Sequence, residues 1–243
     1  MQNYEVEKIS FYKTLKQFII MFFMYKLAIF DLDGTILNTI DDLADSCNFL
    51  CEKHGYPTHS VDEYKRFVGN GIPKLIERAL PCGIEEGTRK AFYEEYVKYY
   101  QQHCAVKTAP YEGMCEALTK LKEAGVVLAV NTNKLQKAAE DLCAKYFPGF
   151  FEIVCGGGEG IPPKPDCYGV KKIFAKVGIL PEEAAGKVVY IGDSDVDINT
   201  GKNAGIDAIG VDWGFRGEKF LREKGAEIVV KKPLELVNLI LSR

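Results

Sequence analysis

The sequence predicts an α/β protein: a Rossmann-like parallel sheet core with an inserted helical cap domain. Three observations carry this reading. Strand-like apolar runs at about 25–31, 126–131, 151–155, 187–192, 206–211 and 227–230 alternate with helix-period segments, the pattern of a parallel sheet covered on both faces. Between about 40 and 108 there is no strand-like run at all. Polar, chemically capable side chains stand at the ends of several runs, where open parallel sheets bind their ligands.

The first run, Tyr25-Lys26-Leu27-Ala28-Ile29-Phe30, stops at Asp31-Leu32-Asp33-Gly34-Thr35. The segment that follows reads as several helices punctuated by Gly55-Tyr56-Pro57, Gly69-Asn70-Gly71 and Pro81-Cys82-Gly83. Inserted after the first strand, it is expected to lie over the crevice and to close over substrate, excluding water. The predicted division is a core of residues 24–40 and 109–243 and a helical cap of 41–108, with hinges near 39–42 and 107–110. Beyond the cap, Leu118, Leu121 and Ala124 recur before Gly125, and Ile173, Phe174 and Val177 before Gly178. This is helical spacing closed by a glycine C-cap.

A chain of 243 residues with 47% hydrophobic content can hold one large domain, or a core with a small second one. Its net charge of −3, with no basic cluster, argues against a nucleic-acid binder. The eight cysteines form no CxxC pair and mostly fall in apolar segments, which fits reduced core thiols in a cytoplasmic protein better than zinc or a disulfide framework. Residues 1–23 read as an N-terminal extension, either a mis-assigned start or an accessory helix. Its apolar run Phe18–Met24 is shorter than the roughly 20 residues a bilayer span requires. No membrane association is expected unless that extension is a working segment.

Two carboxylates two residues apart, at the end of a buried strand, raise each other's pKa unless a cation sits between them. Asp31 and Asp33 therefore suggest a divalent metal or a shared proton, although such a pair also serves turns and caps. Three further sites fall in order along the chain. Asn131-Thr132-Asn133-Lys134 follows the strand Val126–Val130, Lys164 sits within Pro162-Pro163-Lys164-Pro165-Asp166, and Gly192-Asp193-Ser194-Asp195-Val196-Asp197 ends the strand Lys187–Ile191.

This combination, DxDGT, a Thr in NTNK, a loop Lys and GDxxxD, resembles the haloacid dehalogenase-like hydrolase superfamily. The lead DLDGTILNT, the TNK variant and the tail WGF resemble its phosphoglycolate phosphatase-like group. The resemblance covers roughly residues 24–243 and implies a Mg2+-dependent phosphatase that works through an aspartyl-phosphate. Asp31 is then the expected nucleophile, and Asp33 the acid that protonates the leaving oxygen and later deprotonates water. Asp31, Asp193 and the backbone carbonyl of Asp33 are the expected metal ligands, with Asp197 orienting the site. Thr132, Asn133 and Lys164 are expected to bind the phosphoryl group.

Other residues read less sharply. Lys134 would contact substrate or open its helix, and Asp195 would orient a ligand or stand in solvent. Asp166 is expected as an N-cap. Gly156-Gly157-Gly158-Glu159-Gly160 lacks phosphate-loop spacing and reads as a flexible link to Lys164. His54, His59 and His103 are not spaced as metal ligands. Arg66, Asn70 and Lys74 are candidates for reading the non-phosphate end of a substrate.

The expected partner is a small-molecule phosphate ester, with 2-phosphoglycolate first, acted on by a monomer or homodimer. A nucleotidase, pyrophosphatase or sugar-phosphate mutase could use the same core. A phosphoacceptor signalling module is the alternative of a different class, and it leaves Asp33 and the helical insertion unexplained.

Overall fold

The computed structural model describes residues 25–242. The predicted extension, residues 1–23, lies outside them. The described chain begins at β1 (Leu27–Phe30), where every residue is buried, as a strand covered on both faces requires. It passes through the short β2 (Leu37–Asn38) into four helices: α1 (Ile40–Lys53), α2 (Val61–Phe67), α3 (Ile72–Ala79) and α4 (Glu86–His103). It returns through β3 (Ala109–Pro110), which pairs antiparallel with β2, Leu37 opposite Pro110 and Asn38 opposite Ala109.

The helical insertion is thus gathered at its base by a two-stranded ribbon. A second tie reinforces it. The buried Asp42 carboxylate in α1 accepts hydrogen bonds from the main-chain N–H groups of Val106 (3.0 Å), Lys107 (2.9 Å) and Thr108 (2.8 Å). Within the insertion, α3 buries Ile72, Leu75, Ile76 and Ala79, the i, i+3, i+4, i+7 face of an amphipathic helix. Along α4 the buried residues Phe92, Tyr96 and Tyr100 recur every four residues and so share one face.

Helices and strands then alternate: α5 (Met114–Glu123), β4 (Val127–Leu135), α6 (Gln136–Tyr146), β5 (Ile153–Gly157), α7 (Tyr168–Val177), β6 (Val188–Gly192), α8 (Asp195–Asn203), β7 (Asp207–Val211), α9 (Gly217–Glu223), β8 (Ile228–Val230) and α10 (Pro233–Leu241). The sheet runs β5-β4-β1-β6-β7-β8 with every pairing parallel. Phe30 lies level with Val130 on one side and Ile191 on the other. The strand order reverses at β1, and the crevice at such a switch point is where ligands bind in this architecture.

Several local expectations shift. β4 continues through Leu135, beyond the predicted end at 131, so Lys134 is a strand residue and does not open α6. Asp166 is not the N-cap of α7. Cys167 holds that position, and Asp166 instead accepts a bond from the Tyr168 N–H at 2.7 Å. Gly156 and Gly157 are strand residues in close contact with their neighbours, not a flexible link: a Cβ on Gly156 would stand 2.5 Å from Gln136 Cα. Gly178 caps α7 in the left-handed region, as expected. Among the described residues no helix is long and apolar enough to cross a membrane.

Candidate active site

Asp31 directly follows β1, Asp193 directly follows β6, and Asp197 lies in the first turn of α8. All three are buried, and each offers a carboxylate oxygen within 4.8 Å of the others'. Lys164, also buried, comes from the loop between β5 and α7. Its Nζ stands 2.8 Å from Asp31 Oδ1 and 2.7 Å from Asp197 Oδ1. Burial alone would drive this amine neutral, but Asp197 and Asp31 hold its pKa well above the ordinary lysine value, and it stays an ammonium.

The three carboxylates differ in what they have left to offer. Asp197 is committed at both oxygens: Oδ1 takes Lys164, and Oδ2 takes the Ser194 N–H (3.0 Å) and hydroxyl (2.6 Å) in a capping box. Asp193 accepts the Phe215 N–H on Oδ2 at 2.7 Å. Asp31 Oδ1 meets Lys164 as a charge contact only and is a buried oxygen with no hydrogen-bond donor. Desolvation accordingly pushes the Asp31 carboxyl up to about 7 in spite of Lys164, and pushes Asp193 well above the carboxylate range.

Three carboxylates facing one ammonium would, if all were ionised, leave two negative charges uncompensated in a buried space. Together with the orphaned Asp31 oxygen, this donor set fits a hard divalent cation, which takes oxygen ligands. Two glycines make room for it to form. A Cβ on Gly34 would stand 2.4 Å from Asp193 Oδ2, and one on Gly214 would stand 2.2 Å from Asp193 Cβ. The indole of Trp213 donates to the Thr35 carbonyl at 2.9 Å, so the segment carrying Gly214 is fastened to the turn after β1.

Asp33 stands apart from this cluster and has its own cation. Lys134 Nζ, buried at the end of β4, donates to Asp33 Oδ1 at 2.9 Å and to the Tyr100 hydroxyl at 2.6 Å. Thr132 is buried beside it, and its Oγ1 accepts the Lys134 N–H at 3.3 Å. The Asn133 side chain, expected at the phosphoryl group, is occupied otherwise. Its Oδ1 accepts the Lys164 N–H at 2.7 Å, and its Nδ2 donates to the carbonyls of Gly69 (3.0 Å) and Lys164 (3.3 Å). Asn133 thereby holds the Lys164 loop against both β4 and the insertion.

Asp31, Asp33, Thr132 and Asp193 border a cleft whose empty space, open solvent included, is about 590 Å³, with Val68, Ile72 and Leu75 of the insertion among its lining residues. The expected substrate readers are not there. Arg66 is exposed, Lys74 pairs with Glu77 at 2.7 Å, and Asn70 accepts from Arg78 at 2.9 Å. The cation lining the cavity from outside the motifs is Arg216, next after the WGF tail. Its Nη2 donates to the carbonyls of Val68 (3.1 Å) and Arg66 (3.3 Å). Arg66 therefore contributes its main chain where its side chain was expected. His54, His59 and His103 engage Glu95, the Ala79 carbonyl and the Tyr99 carbonyl separately. Asp195 is half-buried at the start of α8.

Sequence reasoning missed Lys134 as a buried partner of Asp33, and missed Tyr100 and Arg216 entirely. The signals available were the adjacency of Lys134 to Thr132, the every-fourth aromatic spacing along α4, and the position of Arg216 just past WGF.

The fold and site define an α/β protein with an acidic, lysine-bearing pocket at the ends of its central parallel strands, bordered by a helical insertion. The family model for haloacid dehalogenase-like hydrolases matches residues 28–211, and the chain belongs to that family. It is an enzyme of the phosphoglycolate phosphatase-like kind. It is 33% identical over 212 residues to the phosphoglycolate phosphatase of Psychrobacter arcticus, covering 82% of this chain and 88% of that one. It is 29% identical over 220 residues to the N-acetylmuramic acid 6-phosphate phosphatase of Pseudomonas aeruginosa, covering 88% and 94%. A crystal structure from Lactobacillus delbrueckii subsp. bulgaricus, provisionally described as a phosphoglycolate phosphatase, superposes with a TM-score of 0.84 at 33% identity, covering 90% of this chain and all of that one.

Proposed function

We propose that this protein is a Mg2+-dependent phosphatase of small phosphorylated metabolites, with 2-phosphoglycolate as the first candidate substrate. The observation that carries the reading is the buried Asp31 carboxylate, in charge contact with Lys164 and lining the same cavity as Asp33, Thr132 and Asp193. Asp31 is the nucleophile: a carboxylate oxygen forms a bond to phosphorus as the bond from phosphorus to the ester oxygen breaks. Asp33 delivers a proton to that departing oxygen, and the alcohol leaves. Asp33 then takes a proton from water, whose oxygen attacks the aspartyl-phosphate and releases inorganic phosphate with Asp31 restored.

Lys164 offsets the charge of the nucleophile and of the phosphoryl oxygens, and the Thr132 hydroxyl and Asn133 main chain orient them. The Asn133 side chain positions Lys164. Mg2+, when bound, neutralises charge on the transferring group, held by Asp31, Asp193 and the Asp33 carbonyl. Asp197, with both oxygens committed, orients Lys164 and the start of α8. Residues 41–108 form the cap and residues 24–40 and 109–243 the core, in a cytoplasmic enzyme with reduced thiols.

The test is phosphate release, with Mg2+ and with EDTA, from 2-phosphoglycolate, sugar phosphates, nucleoside monophosphates and pyrophosphate. Metal-dependent release led by 2-phosphoglycolate is expected, with Asp31→Asn lowering it by about 1,000-fold or more. Undiminished release in EDTA, or a fully active Asp31→Asn enzyme, would overturn the mechanism. Preference for another ester would reassign the substrate alone.

A further inference from the structure

Asp33 has a more elaborate support than a general acid on a turn would need, and part of that support comes from the insertion. Lys134 Nζ contacts Asp33 Oδ1 at 2.9 Å and the Tyr100 hydroxyl at 2.6 Å. It also stands over the Tyr100 ring, 4.7 Å from its centroid. The Lys134 side chain is 2% exposed, whereas that of Asp33 is 20% exposed. Tyr100 is itself buried and stacks on Tyr96 with ring centroids 5.6 Å apart at 9°. Asp33, Lys134 and Tyr100 all line the cavity.

The Lys134 ammonium is not at the nucleophile, whose cation is Lys164, shared with Asp197. Two of its three donors are fixed by Asp33 and Tyr100. Without them the half-open Asp33 carboxylate would be drawn toward solvent, because a charged group is better hydrated than buried. Occupation of Oδ1 by Lys134 also leaves Oδ2 as the oxygen that carries the transferable proton.

We propose that Lys134 is a positioning residue for Asp33, and that Tyr100 of the insertion fixes Lys134, so that the insertion takes part in aligning the acid that protonates the leaving group. The inference rests on the phosphatase reading above. It needs no new reactant: the proton moves from Asp33 Oδ2 to the ester oxygen as the bond from phosphorus to that oxygen breaks, and Lys134 keeps its own protons throughout.

The discriminating readout is leaving-group dependence. A nitrophenolate departs with little protonation and an alkoxide does not, so misalignment of the acid harms alkyl esters selectively. For each enzyme kcat/KM is measured on p-nitrophenyl phosphate and on 2-phosphoglycolate. This ratio reports steps up to the first irreversible one and excludes the hydrolysis of the aspartyl-phosphate, which is common to both. Lys134→Met is expected to lose about 100-fold on the alkyl ester and under about 5-fold on the aryl ester. Tyr100→Phe, which preserves the ring packing, is expected to show the same selectivity at about 10-fold, and to remain informative should Lys134→Met fail to fold.

Equal losses on both esters in a folded Tyr100→Phe protein would overturn the proposal, as would no loss in either variant. If the unaltered protein turned over neither ester with Mg2+ present, the phosphatase reading would fall and this inference with it, a result distinct from the other two.

Discussion

A methyl group on Gly214 would stand 2.2 Å from the Cβ of Asp193. Real atoms do not approach so closely, so the segment after β7 can lie against Asp193 only because residue 214 has no side chain. The same segment gives Asp193 its hydrogen bond from the Phe215 N–H and is fastened to the turn after β1 by Trp213. The WGF tail is therefore a brace for the proposed metal ligand. Gly214→Ala is expected to weaken Mg2+ binding about 10-fold or more, with circular dichroism unchanged. Calorimetric titration of Mg2+ checks this, and unaltered affinity would mean that Asp193 is not the ligand the brace serves.

Burial of Asp31 has a sign that pH can read. Its carboxyl is raised to about 7 in the folded chain, chiefly by desolvation. In the unfolded chain it titrates near 4. Between those values the folded protein retains a proton that the unfolded one has lost, so this group's contribution to stability is highest at low pH and falls as pH rises toward about 7. Asn has the same shape and no charge. Metal-free Asp31→Asn is expected to melt at a higher temperature than the unaltered protein above about pH 7, with the difference shrinking toward pH 4. Added Mg2+ should narrow the gap by stabilising only the carboxylate form. Melting curves across pH check this, and a difference that does not change with pH would refute it.

Asp42 closes the base of the insertion by accepting three main-chain N–H groups from residues 106–108. Truncation to Ala would leave those donors without their partner, the Thr108 N–H in a buried place and the other two in partly buried ones. The expected destabilisation is about 3 kcal/mol. Denaturant titration measures it, and a change below about 0.5 kcal/mol would show that the β2–β3 ribbon alone suffices.

The motifs were legible because buried parallel strands read as unbroken apolar runs, and the residues that follow them must gather at one sheet edge. Asp31, Thr132, Lys164 and Asp193 could be placed in this way from the sequence alone. What escaped depends on contacts between distant residues. Lys134 and Asp33 are 101 residues apart, and Arg216 and Val68 are 148 apart. Beyond adjacency to a motif, nothing in the local pattern of Lys134 or Arg216 distinguishes it from an ordinary surface charge. Lys74 failed for the related reason that α3 has two sides, whereas Arg66 in α2 is exposed and Asn70 accepts from Arg78. Only the packed face of α3, with Ile72 and Leu75, turns toward the cavity.

On the proposed phosphatase reading, that geometry leaves Arg216 as the candidate to read the substrate's non-phosphate end. The insertion supplies apolar side chains to the cavity at Val68, Ile72 and Leu75, so an acidic group on a substrate needs a cation from the core. Lys164 is committed to Asp31 and Asp197, and Lys134 to Asp33 and Tyr100. Arg216 contacts main-chain carbonyls through Nη2, and a guanidinium has five donors, enough to grip a carboxylate with two parallel bonds. Arg216→Ala is therefore expected to raise KM for 2-phosphoglycolate about 10- to 100-fold while changing it for a neutral alkyl phosphate by less than about 3-fold. Lysine at this position should recover only part of the loss, since a point charge cannot make the paired contact. Steady-state kinetics on both esters decide the matter: equal effects on the two would reduce Arg216 to a strut between core and insertion.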